Sequence, residues 1–130
     1  MEQIKRRRLS AKERKQVFDM YNGHCAYCGT EITFRGMQVD HKQPLRIGGE
    51  DALENMFPAC RSCNHYKATL DIEKFREYLE GIPKRVRRDD IAFQVGERYG
   101  LTCAYEIPVK FYFEKSDNAN CDTGREKANA

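Results

Sequence analysis

The stretch MQVDHKQPLRIGG, residues 37–49, decides how this chain is to be read. Its apolar residues alternate as far as Val39, and Asp40 and His41 then stand side by side where the alternation stops. Pro44 and the pair Gly48 and Gly49 follow, and such residues take the chain out of regular structure. A strand is therefore expected to end at His41 and to hand over to a loop. Neighbouring residues on a strand point to opposite faces, so Asp40 and His41 can serve one site only if the backbone bends there.

Two C-x-x-C pairs bracket this stretch, Cys25 with Cys28 in CAYC and Cys60 with Cys63 in CRSC. Each pair can place two sulfurs on one ion from a tight turn, and four thiolates suit tetrahedral zinc. Gly29, directly after the first pair, fits a knuckle in which backbone amides approach the sulfurs closely. Redox dithiols or disulfides are the competing reading, which a reducing compartment disfavours. The intervening residues 29–59 exceed a usual zinc-ribbon spacer, so a substantial insert lies between the knuckles, and it contains Asp40 and His41. Cys103 and Cys121 lack partner spacing and read as a small core residue and an exposed tail thiol.

The chain has 130 residues, of which 33% are charged and 40% hydrophobic, with no Trp. That is enough for one domain with a modest core that gains from a metal staple. Net charge is only +3, but Lys5, Arg6, Arg7, Arg8, Lys12, Arg14 and Lys15 make the first segment basic, and Lys84, Arg85, Arg87 and Arg88 form a second run. Such blocks often follow a phosphate backbone, although a solvated surface is the blander alternative. The N-terminus shows no apolar signal segment and no long apolar run follows, so a cytoplasmic protein with no membrane span is expected.

Ser10 and Glu13 form a capping-box signature, and Val17, Phe18 and Tyr21 give the helix that follows an apolar stripe, stopped by Asn22-Gly23. EITFRGMQVD reads as a hairpin turning at Arg35-Gly36, whose second strand delivers Asp40 and His41. Cys60 to Thr69 predicts a turn running into a short helix. Ile72, Phe75 and Leu79 share a face of a further helix ended by Pro83. Ile91, Val95 and Tyr99 mark another helix, capped by Asp89 or Asp90 and closed by Gly100. Ile107, Val109, Phe111 and Phe113 alternate as a late strand. One domain over residues 1–115 is expected, with a motif core at 17–69, a helical and strand extension at 70–115, and a disordered tail at 116–130.

The order Cys25, Cys28, Asp40, His41, Pro44, Gly48, Gly49, Asn55, Cys60, Cys63, Asn64, Lys67 resembles the HNH endonuclease family, in its zinc-stapled four-cysteine branch. The resemblance implies an α+β fold: a ββα-metal (His-Me finger) core, a zinc staple on the four cysteines, flanking helices and a short C-terminal strand. It implies that Asp40 is a ligand of the catalytic ion and His41 the general base. Asn55 would pin the loop and orient the histidine, and Asn64 would be the second protein ligand. Many members carry His where this chain has Asn64, which leaves the metal preference open. His65, its neighbour, is the alternative ligand. His24, beside Cys25, reads as an ordinary loop histidine.

Hydrolysis of a phosphodiester needs these residue types for physical reasons as well. A histidine titrates near neutral pH and can take a proton from water. Oxygen donors from Asp40 and Asn64 suit Mg2+ or Mn2+ and leave positions open for water and phosphate. Lys67, one helical turn past Asn64, is expected to reach a phosphate, and Arg6, Arg7 and Arg8 to add sequence-independent affinity for DNA. By resemblance the products carry 5′-phosphate and 3′-hydroxyl ends. The alternative is a noncatalytic zinc-knuckle module that binds nucleic acid. Sequence specificity and oligomeric state are not legible in these residues.

Overall fold

The structure, a computed structural model, describes residues 6–115. They divide into two compact units, one of residues up to Asp71 together with those from Lys110 onward, the other of Ile72–Val109. The tail expected beyond residue 115 lies outside the described residues. Among the described residues no helix is long and apolar enough to cross a membrane.

In the first unit, α1 (Ala11–Asp19) starts as its capping box requires: Ser10 Oγ accepts from the Glu13 N–H at 3.1 Å, and Glu13 Oε1 accepts from the Ser10 N–H at 3.2 Å. Two backbone donors that the helix leaves unpaired are thereby satisfied. Val17 is buried, and with Met37 and Met56 it forms an apolar cluster against which Leu9, Phe18, Ile32, Val39 and Leu53 pack.

Strand β1 (Gln38–His41) ends where the turn residues predict. Its partner is not the one expected. The Thr33–Gly36 segment is a tight turn, with Thr33 Oγ1 accepting from the Gly36 N–H at 2.9 Å, and β1 pairs antiparallel with β2 (Met56–Ala59), so that Asp40 faces Phe57 and His41 faces Met56. All four residues of β2 are buried, so it carries no polar–apolar alternation, and Pro58 disguises it further. Between the strands, residues 42–55 form a loop with 3₁₀ turns at Leu45–Ile47 and Leu53–Asn55. Helix α2 (Arg61–Lys67) follows β2 and completes a ββα unit within an α+β fold.

The late aromatic run is core rather than strand. Tyr112 and Phe113 donate their N–H groups to the carbonyls of Tyr27 and Ala26 at 2.9 and 2.8 Å, and helix α6 (Tyr112–Lys115) begins there. Phe111 is buried, Phe113 lies 4.8 Å from Phe57 ring to ring, and both Phe111 and Phe113 meet Tyr27 edge-on. Phe111 and Phe113 thus alternate because they share an aromatic cluster, without sheet pairing.

The second unit holds three helices, α3 (Ile72–Glu80), α4 (Ile82–Asp89) and α5 (Ile91–Arg98). Phe75 is fully buried on α3. Pro83, expected to end α3, occupies the first turn of α4, where its missing N–H has no intrahelical partner to lose. Asp90 caps α5 by accepting from the Phe93 N–H at 3.1 Å. Ile91, Val95 and Tyr99, whose spacing marks this helix, are all exposed, as is Cys103, expected in the core. Their spacing records helical periodicity but not burial. Cys121 lies outside the described residues.

Candidate active site and metal centre

The four cysteines come together. Cys25 and Cys28 flank the knuckle before Gly29, while Cys60 and Cys63 open α2, and their sulfurs all lie within 4.8 Å of one another. Cys28 Sγ and Cys60 Sγ are 3.8 Å apart. The edge of a tetrahedron of thiolates about 2.3 Å from a zinc ion is about 3.8 Å, so the spacing suits that ion. Gly29 has φ +79°, and a Cβ there would meet Tyr112 Cδ2 at 2.7 Å, which explains the need for glycine. The hydrogen bond from Cys63 pulls the Cys25 thiol down to about 4. Burial, with the charges of Cys25 and Cys60, pushes Cys28 up to about 11. Cys63 is driven upward chiefly by donating to Cys25. Such mutual opposition of thiolates is what a dication relieves.

Asp40 and His41 also meet, at one pocket of about 170 Å³ lined by both of them together with Arg6, Arg46 and Thr69. Asp40 is buried and its Oδ2 accepts from Tyr27 O–H at 2.5 Å and from the Lys67 ammonium at 2.9 Å. Burial, followed by the charge of Asp40, drives the Tyr27 phenol well above its ordinary value, so it stays a donor. Both contacts fall on Oδ2. Lys67 also donates to the carbonyl of His41 at 2.9 Å, so one ammonium holds the ends of both residues.

Lys67 does not reach out to a phosphate, as its spacing from Asn64 suggests it would. It is completely buried, and its charge is spent on Asp40 and on the backbone of His41. Helical spacing places Lys67 at the correct turn of α2 but does not reveal that the turn faces inward.

Asn55 pins the loop with three hydrogen bonds. Its Oδ1 accepts from the Gln43 N–H at 3.0 Å, and its Nδ2 donates to the Gln43 and Glu50 carbonyls at 2.9 and 2.8 Å. Gly49 lets the loop close: a Cβ there would sit 1.8 Å from the Gln43 carbonyl oxygen.

The contact that orients His41 comes from Asp51, a residue the sequence alone does not single out. His41 Nε2 lies 2.9 Å from Asp51 Oδ1. Partial burial works against the Asp51 charge, but the Arg7 N–H and the His41 ring outweigh it and hold the carboxyl below its ordinary 3.8. An ionised carboxylate only accepts, so Nε2 carries the proton and Nδ1 the lone pair. His41 Nδ1 is buried with no hydrogen-bond partner among the described residues. The one available sign of Asp51 is its place in the acidic stretch after Gly48-Gly49, which reads equally as loop surface.

Asn64 is half-buried on α2 and His65 exposed; neither lines the pocket of Asp40 and His41. Asn64 contributes its carbonyl to the Ala68 N–H at 3.0 Å. His24 stacks on Tyr112 and contacts the Tyr21 carbonyl through Nδ1 at 3.1 Å, as a structural histidine does.

The basic segments are more committed than their charge suggests. Arg7 Nη2 pairs with Glu13 at 2.8 Å and its Nε donates to the Asp51 carbonyl at 3.2 Å. In the second unit Arg85 stacks on Tyr78 at 4.3 Å, Arg87 pairs with Glu97 at 3.1 Å, and Arg88 pairs with Asp89 at 2.6 Å.

Residues 25–69 match the profile of the family described as HNH endonuclease. The SPbeta prophage-derived protein YoqL of Bacillus subtilis (strain 168), which carries an HNH endonuclease name, is 32% identical over 65 residues, covering 44% of this chain and 28% of that protein. The CRISPR-associated endonuclease Cas9 of Corynebacterium diphtheriae is 38% identical over 55 residues, covering 42% of this chain and 5% of that protein. The match therefore spans less than a third of the length of either relative. Among solved structures, the type II-C Cas9 enzyme from Actinomyces naeslundii matches with a TM-score of 0.49 and 18% identity over 82% of this chain and 14% of that one.

Proposed function

We propose that this chain, whose residues 25–69 match the HNH endonuclease profile, is a metal-dependent endonuclease that hydrolyses DNA phosphodiester bonds. One observation carries the reading: His41, beside Asp40 at the pocket, has Nε2 engaged by Asp51 while its buried Nδ1 has no partner among the described residues. Such an imidazole is set to accept a proton through Nδ1.

In this reading Nδ1 takes the proton from a water as that water attacks phosphorus, and the bond from phosphorus to the 3′-oxygen breaks. The resulting ends are 5′-phosphate and 3′-hydroxyl. Asp51 holds the ring in the one tautomer that can act and offsets the charge the ring gains. Lys67 and Tyr27 fix the Asp40 carboxylate through Oδ2, which leaves Oδ1 as its oxygen for an ion. That oxygen, a hard donor at the pocket, would hold Mg2+ or Mn2+, whose charge when bound would stabilise the phosphate and the departing oxygen; Asn64, outside the pocket lining, is a second ligand only by the resemblance. Cys25, Cys28, Cys60 and Cys63 would hold a zinc ion, which would tie the knuckle to the start of α2 and so fix the frame around the site. In this reading the chain acts as a nuclease in the cytoplasm.

Incubation of the purified chain with supercoiled plasmid tests this. Nicked or linear product is expected with Mg2+ or Mn2+ and none after their chelation, with zinc retained. DNA binding without cleavage under every divalent ion would instead mark a noncatalytic zinc-knuckle module.

A further inference from the structure

The arm ahead of α1 runs into the site, and its three arginines, alike in sequence, are not alike in place. Arg7 is engaged on three sides. Its backbone N–H donates to Asp51 Oδ2 at 2.6 Å, its Nε to the Asp51 carbonyl at 3.2 Å, and its Nη2 pairs with Glu13 at 2.8 Å. Glu13 is itself fixed by the capping box of α1. Asp51 is thus shared: one carboxylate oxygen holds His41 and the other holds the arm.

Arg6 is exposed and lines the pocket of Asp40 and His41, as does Arg46 from the loop. Neither forms an ion pair among the described residues, whereas the acid in the same pocket, Asp40, is already matched by Lys67. Two guanidinium groups with no ion pair among the described residues, beside a carboxylate matched by Lys67, make a site for an anion with several oxygens.

We propose that Arg6 and Arg46 form a phosphate subsite at the Asp40–His41 pocket, gripping a backbone phosphate of the nucleic acid, and that Arg7 is the latch that sets Arg6 there by way of Asp51 and Glu13. The subsite rests on the nuclease reading for the identity of its ligand, and it assigns Arg7 a positioning role in place of a DNA contact.

The test measures binding of a fluorescein-labelled duplex oligonucleotide by the full chain carrying His41→Ala, across a range of salt concentrations. Each phosphate contact contributes about one unit to the slope of log affinity against log salt. Arg6→Ala and Arg46→Ala should each lower the slope by about one unit. Arg7→Ala should lower it by about one unit as well, and the double variant Arg6→Ala/Arg7→Ala by about one in total, because Arg7 acts only through Arg6. Arg7→Lys, which keeps the charge but loses the fork, should behave as Arg7→Ala does; zinc content and melting temperature establish that each variant is folded. An additive loss of about two units in the double variant would make Arg7 a phosphate contact and overturn the latch. An unchanged slope for Arg6→Ala or Arg46→Ala, or no binding by the parent chain, would overturn the subsite. Binding that behaves as expected in a chain whose wild type does not cut plasmid would sink the nuclease reading and leave the subsite standing.

Discussion

The ammonium of Lys67 lies 2.9 Å from Asp40 Oδ2, and the two side chains are 0% and 4% exposed. A charge pair this deep is worth little relative to apolar packing, but removing one member strands the other. Lys67→Met should therefore destabilise the chain by about 3–5 kcal/mol, read as a fall in the urea midpoint with unchanged slope. A loss below about 1 kcal/mol would mean that Asp40 is not held as an ion.

Removal of a cysteine tests the metal centre. Element analysis should find one zinc ion per chain, and Cys60→Ser should abolish it and lower the melting temperature strongly, because binding energy at a structural thiolate site is folding energy. A strong chelator should have the same effect on the unaltered chain. Full thermal stability without zinc would contradict a stapling role.

The loop of Asn55 is held by three side-chain hydrogen bonds, at about 1 kcal/mol each. Asn55→Ala should cost roughly 2–4 kcal/mol and reduce cleavage further, since the loop carries Asp51. Amide exchange of residues 43–50 should accelerate in this variant; unaltered exchange would show that the loop is held elsewhere.

Ala68 has φ +48° and ψ −119°, a region that residues with a side chain rarely adopt. Ala68→Gly should raise stability by about 1 kcal/mol in urea unfolding. A loss of stability would mean that the methyl group contributes packing that outweighs the strain.

Acid should loosen the arm. The Asp51 carboxyl sits below its ordinary 3.8 and that of Glu13, held by the Ser10 N–H and Arg7, below its ordinary 4.5. For an acid whose folded value is depressed, the stabilisation is present above the unfolded value and disappears as pH falls through the folded one. Protection of the Arg7 amide against exchange should thus persist down to about pH 4 and collapse below it. Collapse already near pH 6 would assign the latch to another group.

Much of this arrangement is legible in the residues themselves. Ser10 and Glu13 announce the start of α1, the two C-x-x-C pairs announce the thiolate cluster, and Asp40-His41 ahead of Pro44 and two glycines announces a strand end. These signals are local, and local geometry keeps them. What escaped depends on partners distant in sequence. β2 is buried on every side and so shows no alternation. Pro83 marks a helix start as readily as a stop. Lys67 is charged yet buried because Asp40 awaits it, and Asp51 gains its role only when the loop folds back on His41. Phe111 and Phe113 alternate as a strand would, although an aromatic cluster is what they complete.

Cleavage of supercoiled plasmid by zinc-loaded wild type and zinc-loaded His41→Ala, side by side, decides whether His41 activates water at this site. His41→Ala is expected to retain fold, zinc and DNA affinity while its cleavage rate falls by at least about 10²-fold. Cleavage by His41→Ala at the wild-type rate would contradict that role.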